Sequence, residues 1–202
     1  MGTVKYITCP DMEHHIWLGV WNKEYPSATV IGPEPLGQKR DKSDVEKVKF
    51  DVSFRPNDAS SRKVDEEFDR EFNTAYVPEH ANTELVFNFV REKTLIEADL
   101  FFNLPAIEQY SKSPENPHSG FATKAFCQVG GTTGNRLAWQ QRFLWHALSI
   151  AKGERTGFNK SVAAIDKWDF DRIIPCHGDV IETGGKGIFR RLFAWHLQAA
   201  GQ

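Results

Sequence analysis

The stretch Thr8–Gly19, "TCPDMEHHIWLG", crowds Cys9, Asp11, Glu13, His14 and His15 into the few residues that follow a β-branched run, Val4–Thr8. Thiol, carboxylate and imidazole groups together raise a choice between a metal site and ordinary structural roles. Asp11 reads as the N-cap of a helix from about Met12 to Glu24, with Trp17, Val20 and Trp21 on one face and Pro26 beyond its end. Cys9 reads equally as a small buried hydrophobe. His15 points away from His14 on such a helix. A second stretch, "DFDRIIPCHGDVIETGGKG" from Asp169 to Gly187, poses the same choice: a short apolar strand ends on His177, wedged between Cys176 and Gly178.

Outward from these two stretches, strands and helices interleave. Ala28–Gly32 reads as a short strand. In Val48–Phe54, Val48, Phe50, Val52 and Phe54 share one face and Lys49, Asp51 and Ser53 the other, the mark of a half-buried strand. "ELVFNFV" and "TLIEADLFF", separated by Arg91-Glu92-Lys93, read as a hairpin. Two further helices are expected, from about Asn135 to Lys152 with Gly153 closing it, and from about Lys186 to the C-terminus. Asn103–Gly134 reads as a long loop, and Ser60–Phe72 as a short surface helix or a loop. Interleaving with hairpins points to layered α/β packing with mixed sheets.

The 202 residues suit a single domain, 1–202, able to bury a core unaided. A hydrophobic share of 40% marks a globular chain. The net charge of −2 gives no reason to expect nucleic acid or an acidic membrane as partner. Lys39, Arg40 and Lys42 stand beside Asp41 and Asp44 and read as a solvated loop. Three widely spaced cysteines favour a reducing, cytoplasmic setting over a disulfide scaffold. No run has the length of a membrane span, and the N-terminus lacks the apolar core of a signal peptide. The run "TGGKG" misses the spacing and the Ser or Thr of a phosphate loop, so it reads as a flexible lead into the last helix.

His146 and His196 fall inside amphipathic helices and read as packed or half-exposed helix residues; His118 reads as solvated. In the hairpin, Asp99 falls opposite Glu84 or Leu85, and His80 lies just upstream across the turn-forming Asn82. One end of the hairpin therefore gathers His80 and Asp99. The competing reading places Glu97 and Asp99 on a solvent face, since an unpaired buried carboxylate is costly.

The segment Cys9-Pro-Asp11-Met-Glu13-His14 has the frame of His-x-His-x-Asp-His, the ligand signature of the metallo-β-lactamase fold. Cys9 and Asp11 stand at its first two histidines, Glu13 at its aspartate, and His14 is retained. "VPEHANTELVFNF" resembles the next histidine segment, at His80; "KTLIEADLFFN" the bridging-aspartate segment, at Asp99; "DRIIPCHGD" the last-ligand strand, at His177. The chain thus resembles the metallo-β-lactamase superfamily, and more narrowly a functionally uncharacterised branch in which the helix begins with paired histidines and the first ligand motif is eroded.

The resemblance implies an αββα sandwich, shortened at its N-terminus, because the family's early strands would precede Met1. An edge so exposed predicts a truncated form of a longer protein or self-association as a two-fold homodimer. It also implies a metal site of His14, His80, Asp99 and His177, with Glu13, Asp11 and Cys9 as further ligands, for Zn²⁺, Fe or Mn. The implied activity is hydrolysis of a small ester, thioester or lactone by metal-activated water. The alternative is a degenerate relative without metal or catalysis, serving as a binding or scaffold protein.

Overall fold

The computed structural model describes residues 2–43, 45–56, 58, 62–153 and 155–202; Met1, Asp44, Ser60 and Ser61, named above, lie outside the described residues. Strands β1 (Tyr6–Thr8), β2 (Thr29–Pro33) and β3 (Val52–Phe54) pair in parallel in that order. A second sheet runs β4 (Phe72–Val77), β5 (Glu84–Phe89), β6 (Thr94–Ile96), β7 (Arg172–Ile174), antiparallel across its first two pairs and parallel across β6–β7. The second sheet is the mixed one; the first is wholly parallel.

Side-chain alternation along these strands builds four layers. Ile31, Val52 and Phe54 of the first sheet meet Tyr76, Leu85 and Phe87 of the second, forming the core between the sheets. The opposite face of the first sheet, with Val30 and Cys9, packs on Leu18 of α1 (Leu18–Glu24) and Leu36 of α2 (Glu34–Asp41). The opposite face of the second sheet, with Val77, Val86, Leu95 and Ile173, is covered by α5 (Gly134–His146), α6 (Thr156–Ile165), α7 (Gly185–Leu192) and α8 (Ala194–Ala199). The hairpin strand β5 is buried on both faces, which is why "LVF" from Leu85 to Phe87 reads as a continuous apolar run and not as an alternation.

Several boundaries differ from expectation for identifiable reasons. The first helix begins at Leu18, not Met12, and Trp17 at its start makes no side-chain cap. Asp11 instead accepts the backbone N–H groups of Glu13 and His14, at 2.9 and 2.8 Å, and holds a tight turn before the helix. Trp17, Val20 and Trp21 are exposed and not core-facing. Arg40 is buried, donating to the backbone carbonyls of His15 and Glu46, so Lys39 and Arg40 belong to α2 and not to a solvated loop, and Lys42 follows at its C-terminal end. The loop after Asn103 contains α4 (Phe121–Val129). A short helix α3 (Glu66–Glu71), capped by Asp65, lies beside β1: Tyr6 and Phe68 meet with ring centroids 5.0 Å apart. The last helix is two, divided at Phe193. Among the described residues no helix is long and apolar enough to cross a membrane.

Candidate metal centre

Four chain segments leave the two sheets at one edge and meet there. They are the turn after β1, the β4–β5 turn, the segment after β6 and the loop after β7. Backbone hydrogen bonds join them: Met12 N–H to Asn82 O at 3.0 Å, Leu85 N–H to Pro10 O at 2.6 Å, Cys176 N–H to Ala98 O at 3.3 Å and Asn103 N–H to His177 O at 3.1 Å. Gly178 makes the last approach feasible. Its φ is +112°, and a Cβ there would stand 2.2 Å from the Asn103 carbonyl oxygen. The glycine after His177 therefore presses the histidine loop against the segment that carries Asp99.

At this junction His14 Nε2 and His177 Nε2 face each other at 3.1 Å, and His177 Nε2 lies 3.4 Å from Asp99 Oδ1. His14 Nδ1 is 2.7 Å from Asp11 Oδ2, a buried carboxylate. That contact assigns the Nδ1 proton to the bond with Asp11 and leaves the Nε2 lone pair toward His177. Asn82 Nδ2 donates to Asp99 Oδ2 at 2.5 Å, while Asp99 Oδ1 accepts no hydrogen bond among the described residues. Two sets of donor atoms come within 4.8 Å of one another: His14, Cys176 and His177, and Asp11, His14 and Asp99. Imidazole pairs with a carboxylate and a thiol form a donor set that suits Zn²⁺, Fe or Mn. The facing Nε2 atoms and the orphaned Asp99 oxygen have the disposition a cation would satisfy, so the residues present fit a metal.

Burial raises the Asp99 carboxyl above the usual carboxylate range, with His14 opposing and the Asp11 charge adding to the effect. Burial, reinforced by the carboxylates around it, pushes the Cys176 thiol up to about 11. Glu97 and Asp99 are buried and do not share a solvent face. Behind them Glu84, also fully buried, accepts the N–H of Ala98 at 2.6 Å and of Asp99 at 3.1 Å, fixing the backbone from which Asp99 projects. Burial raises the Glu84 and Glu97 carboxyls well above their ordinary values.

Three residues implied as ligands stand outside both donor sets. Cys9 lies in the core with Leu18 and Val30, its thiol pushed up to about 12 by burial. Glu13 is exposed and pairs with Lys39 at 3.0 Å. His80 is fully buried, its Nδ1 3.8 Å from Glu84 Oε2 and its ring 6.2 Å from that of Phe158. Burial lowers its pKa to about 4, and its Nε2 has no partner among the described residues. The sequence reading passed over Cys176, although it flanks His177, and Glu84, whose register opposite Asp99 was the available signal.

The metallo-β-lactamase from Pontibacter korlensis superposes with a TM-score of 0.51 over 96% of this chain and 69% of its own, at 10% identity. This chain has the metallo-β-lactamase fold. Two further solved proteins share it. They are a flavodiiron core from Synechocystis (TM-score 0.57, 14% identity, 98% of this chain) and the rubredoxin oxygen:oxidoreductase of Desulfovibrio gigas (TM-score 0.57, 13% identity, 96% of this chain). The chain spans 44% of the length of each of these two. No family model and no curated protein matches the sequence.

Proposed function

We propose that this metallo-β-lactamase-fold chain is a metal-dependent hydrolase of a small ester, thioester or lactone, with His14, Asp99 and His177 as principal ligands and Asp11 and Cys176 beside them. The observation that carries the reading is the 3.1 Å approach of the two Nε2 atoms next to an unsatisfied Asp99 oxygen. A bound Zn²⁺ would supply Lewis acidity that polarises a carbonyl and would bring a water pKa to about 7, and Fe or Mn in its place would supply weaker Lewis acidity. The chain's own residues set the stage. Asp11 holds the Nδ1 proton of His14 and keeps Nε2 available. Asn82 occupies one Asp99 oxygen and aims the other into the site. Phe102, with its ring 5.9 Å from that of His177, excludes water from one side.

The test is elemental analysis of protein purified without added metal, followed by turnover of p-nitrophenyl and thioester substrates. Stoichiometric metal, and hydrolysis that a chelator removes and added metal restores, is the expected result. A second reading, a binding or scaffold protein without catalysis, is favoured by one observation: Cys9 is packed in the core and Glu13 is paired with Lys39, both away from the junction. Absence of metal, with melting indifferent to chelator, establishes that reading and ends the first.

A further inference from the structure

A cavity of about 530 Å³ opens directly onto His177 and Asp99. Phe102, Leu104 and Ala106 form one wall, and Phe126 and Cys127 of α4 another. Among the described residues no lysine or arginine lines it. Gln109 reaches the rim, but its amide donates to the Cys176 carbonyl at 3.0 Å and is committed to the His177 loop. The walls are held from behind. The buried Gln140 accepts the Phe102 N–H at 2.7 Å and donates to the carbonyls of Phe102 and Gly131 at 2.9 and 3.0 Å. Leu104 N–H bonds Gly130 O at 2.8 Å, and Leu104 packs so closely on Gly130 that a Cβ there would lie 2.7 Å from its Cδ1. The Phe102 and Phe126 rings sit 5.5 Å apart. This is a preformed apolar pocket of a size that takes a small molecule.

We infer that this pocket selects the substrate by an uncharged apolar acyl group, a medium-length alkyl chain or an aromatic ring, whose carbonyl then lies at His177 and Asp99. A charged group would be desolvated there: among the described lining residues no lysine or arginine meets an anion, and the one carboxylate, Asp99, belongs to the metal site. A terminal hydroxyl is tolerated, because Tyr110 and Thr123 also line the cavity, so the discrimination is against charge. Each methylene that reaches the walls strengthens binding by transfer out of water. The inference deepens the hydrolase reading, but its binding arm stands without turnover.

The experiment has two arms on the metal-loaded protein. In the first, octanamide and 8-aminooctanamide, whose terminal amine is an ammonium at neutral pH, are titrated calorimetrically against the wild type and Phe126→Asp. Phe126 is partly exposed, so its replacement spares the core. The expected result is that octanamide binds at least tenfold more tightly than its ammonium analogue, and that Phe126→Asp removes the difference. In the second, p-nitrophenyl esters from acetate to octanoate are hydrolysed, with kcat/KM rising about fourfold per methylene and the rise flattened in Phe126→Asp. Octanamide binding without ester turnover ends the hydrolase reading and leaves the apolar pocket standing. Equal binding of the two amides, or octanamide affinity unchanged by Phe126→Asp, overturns the inference.

Discussion

The candidate centre draws on two regions that hold their donors very differently. After β6 and β7, Asp99 and His177 project from backbone pinned by the ladder, by Glu84 and by the close contact of Gly178 with Asn103. After β1, the donor-rich turn keeps only Asp11 and His14 at the junction, while Cys9 turns into the core and Glu13 out to Lys39. Side chains fixed by strand register stay in the site. Those in a turn are free to be captured by whichever environment suits them, apolar for a thiol and aqueous for a carboxylate. The comparison makes the second sheet the anchor of the site and the first sheet a contributor of one imidazole and its orienting carboxylate.

The largest effect tests the anchor. His177→Ala and Asp99→Asn should each empty the site of metal. They should also remove the stabilisation that metal binding adds, about 2.7 kcal/mol at a hundredfold excess over Kd. Melting with and without chelator measures it; a metal content equal to wild type in either variant would break the comparison. Next, Glu84→Leu should cost about 2–4 kcal/mol, because the Ala98 and Asp99 N–H groups lose their buried acceptor. Glu84→Gln, which keeps one carbonyl oxygen for them, should cost under about 1 kcal/mol. Urea unfolding separates the two, and equal losses would show that Glu84 does not act through those bonds.

Gly178→Ala should cost about 2 kcal/mol, from a positive φ and a collision with the Asn103 backbone, and should lower metal affinity with it. Retained affinity would show that the His177 loop tolerates displacement. The smallest effect is on the other side. Cys9→Ala should leave metal content unchanged and cost about 1 kcal/mol, the loss of a small buried group. A fall in metal content would return Cys9 to the site.

Much of this arrangement is legible in the chain. The strand expected over Val48–Phe54 survives only as Val52–Phe54, and its one-face alternation does not hold: Val52 and Phe54 face the second sheet, while Val48 and Phe50 pack on the helix side of the first. The hairpin pairs Phe87 with Ile96, and extending that register places Glu84 opposite Asp99. Other elements carry no local signal. In β4, "FNTAYV" places polar Asn73 and Thr74 after its first residue and directly follows a charged helix, and its burial comes from neighbours distant in sequence. Helix α2, "EPLGQKRD", holds Pro and Gly and one apolar side chain; Leu36 packed on the first sheet and the carbonyls that receive Arg40 stabilise it. Helix α6, "TGFNKSVAAI", mixes Gly and β-branched residues, and packing on the second sheet overrides weak propensity. In the site, residue type pointed to Asp99 and His177. The fates of Cys9, Glu13 and His80 depended on which environment each side chain could reach, which spacing does not encode.

The contact between His14 and His177 joins residues 163 positions apart. A ribosome adding about 5–20 residues per second needs roughly 10–30 s to make the second after the first. Through that interval the first sheet, parallel and therefore slow to assemble, waits without the loop that completes the junction. The donor pair is thus a late event of synthesis, closed only when β7 docks on β6. A metal ion held by both imidazoles would report the completed fold and no earlier stage, which makes metal uptake during refolding a clock for the final docking step.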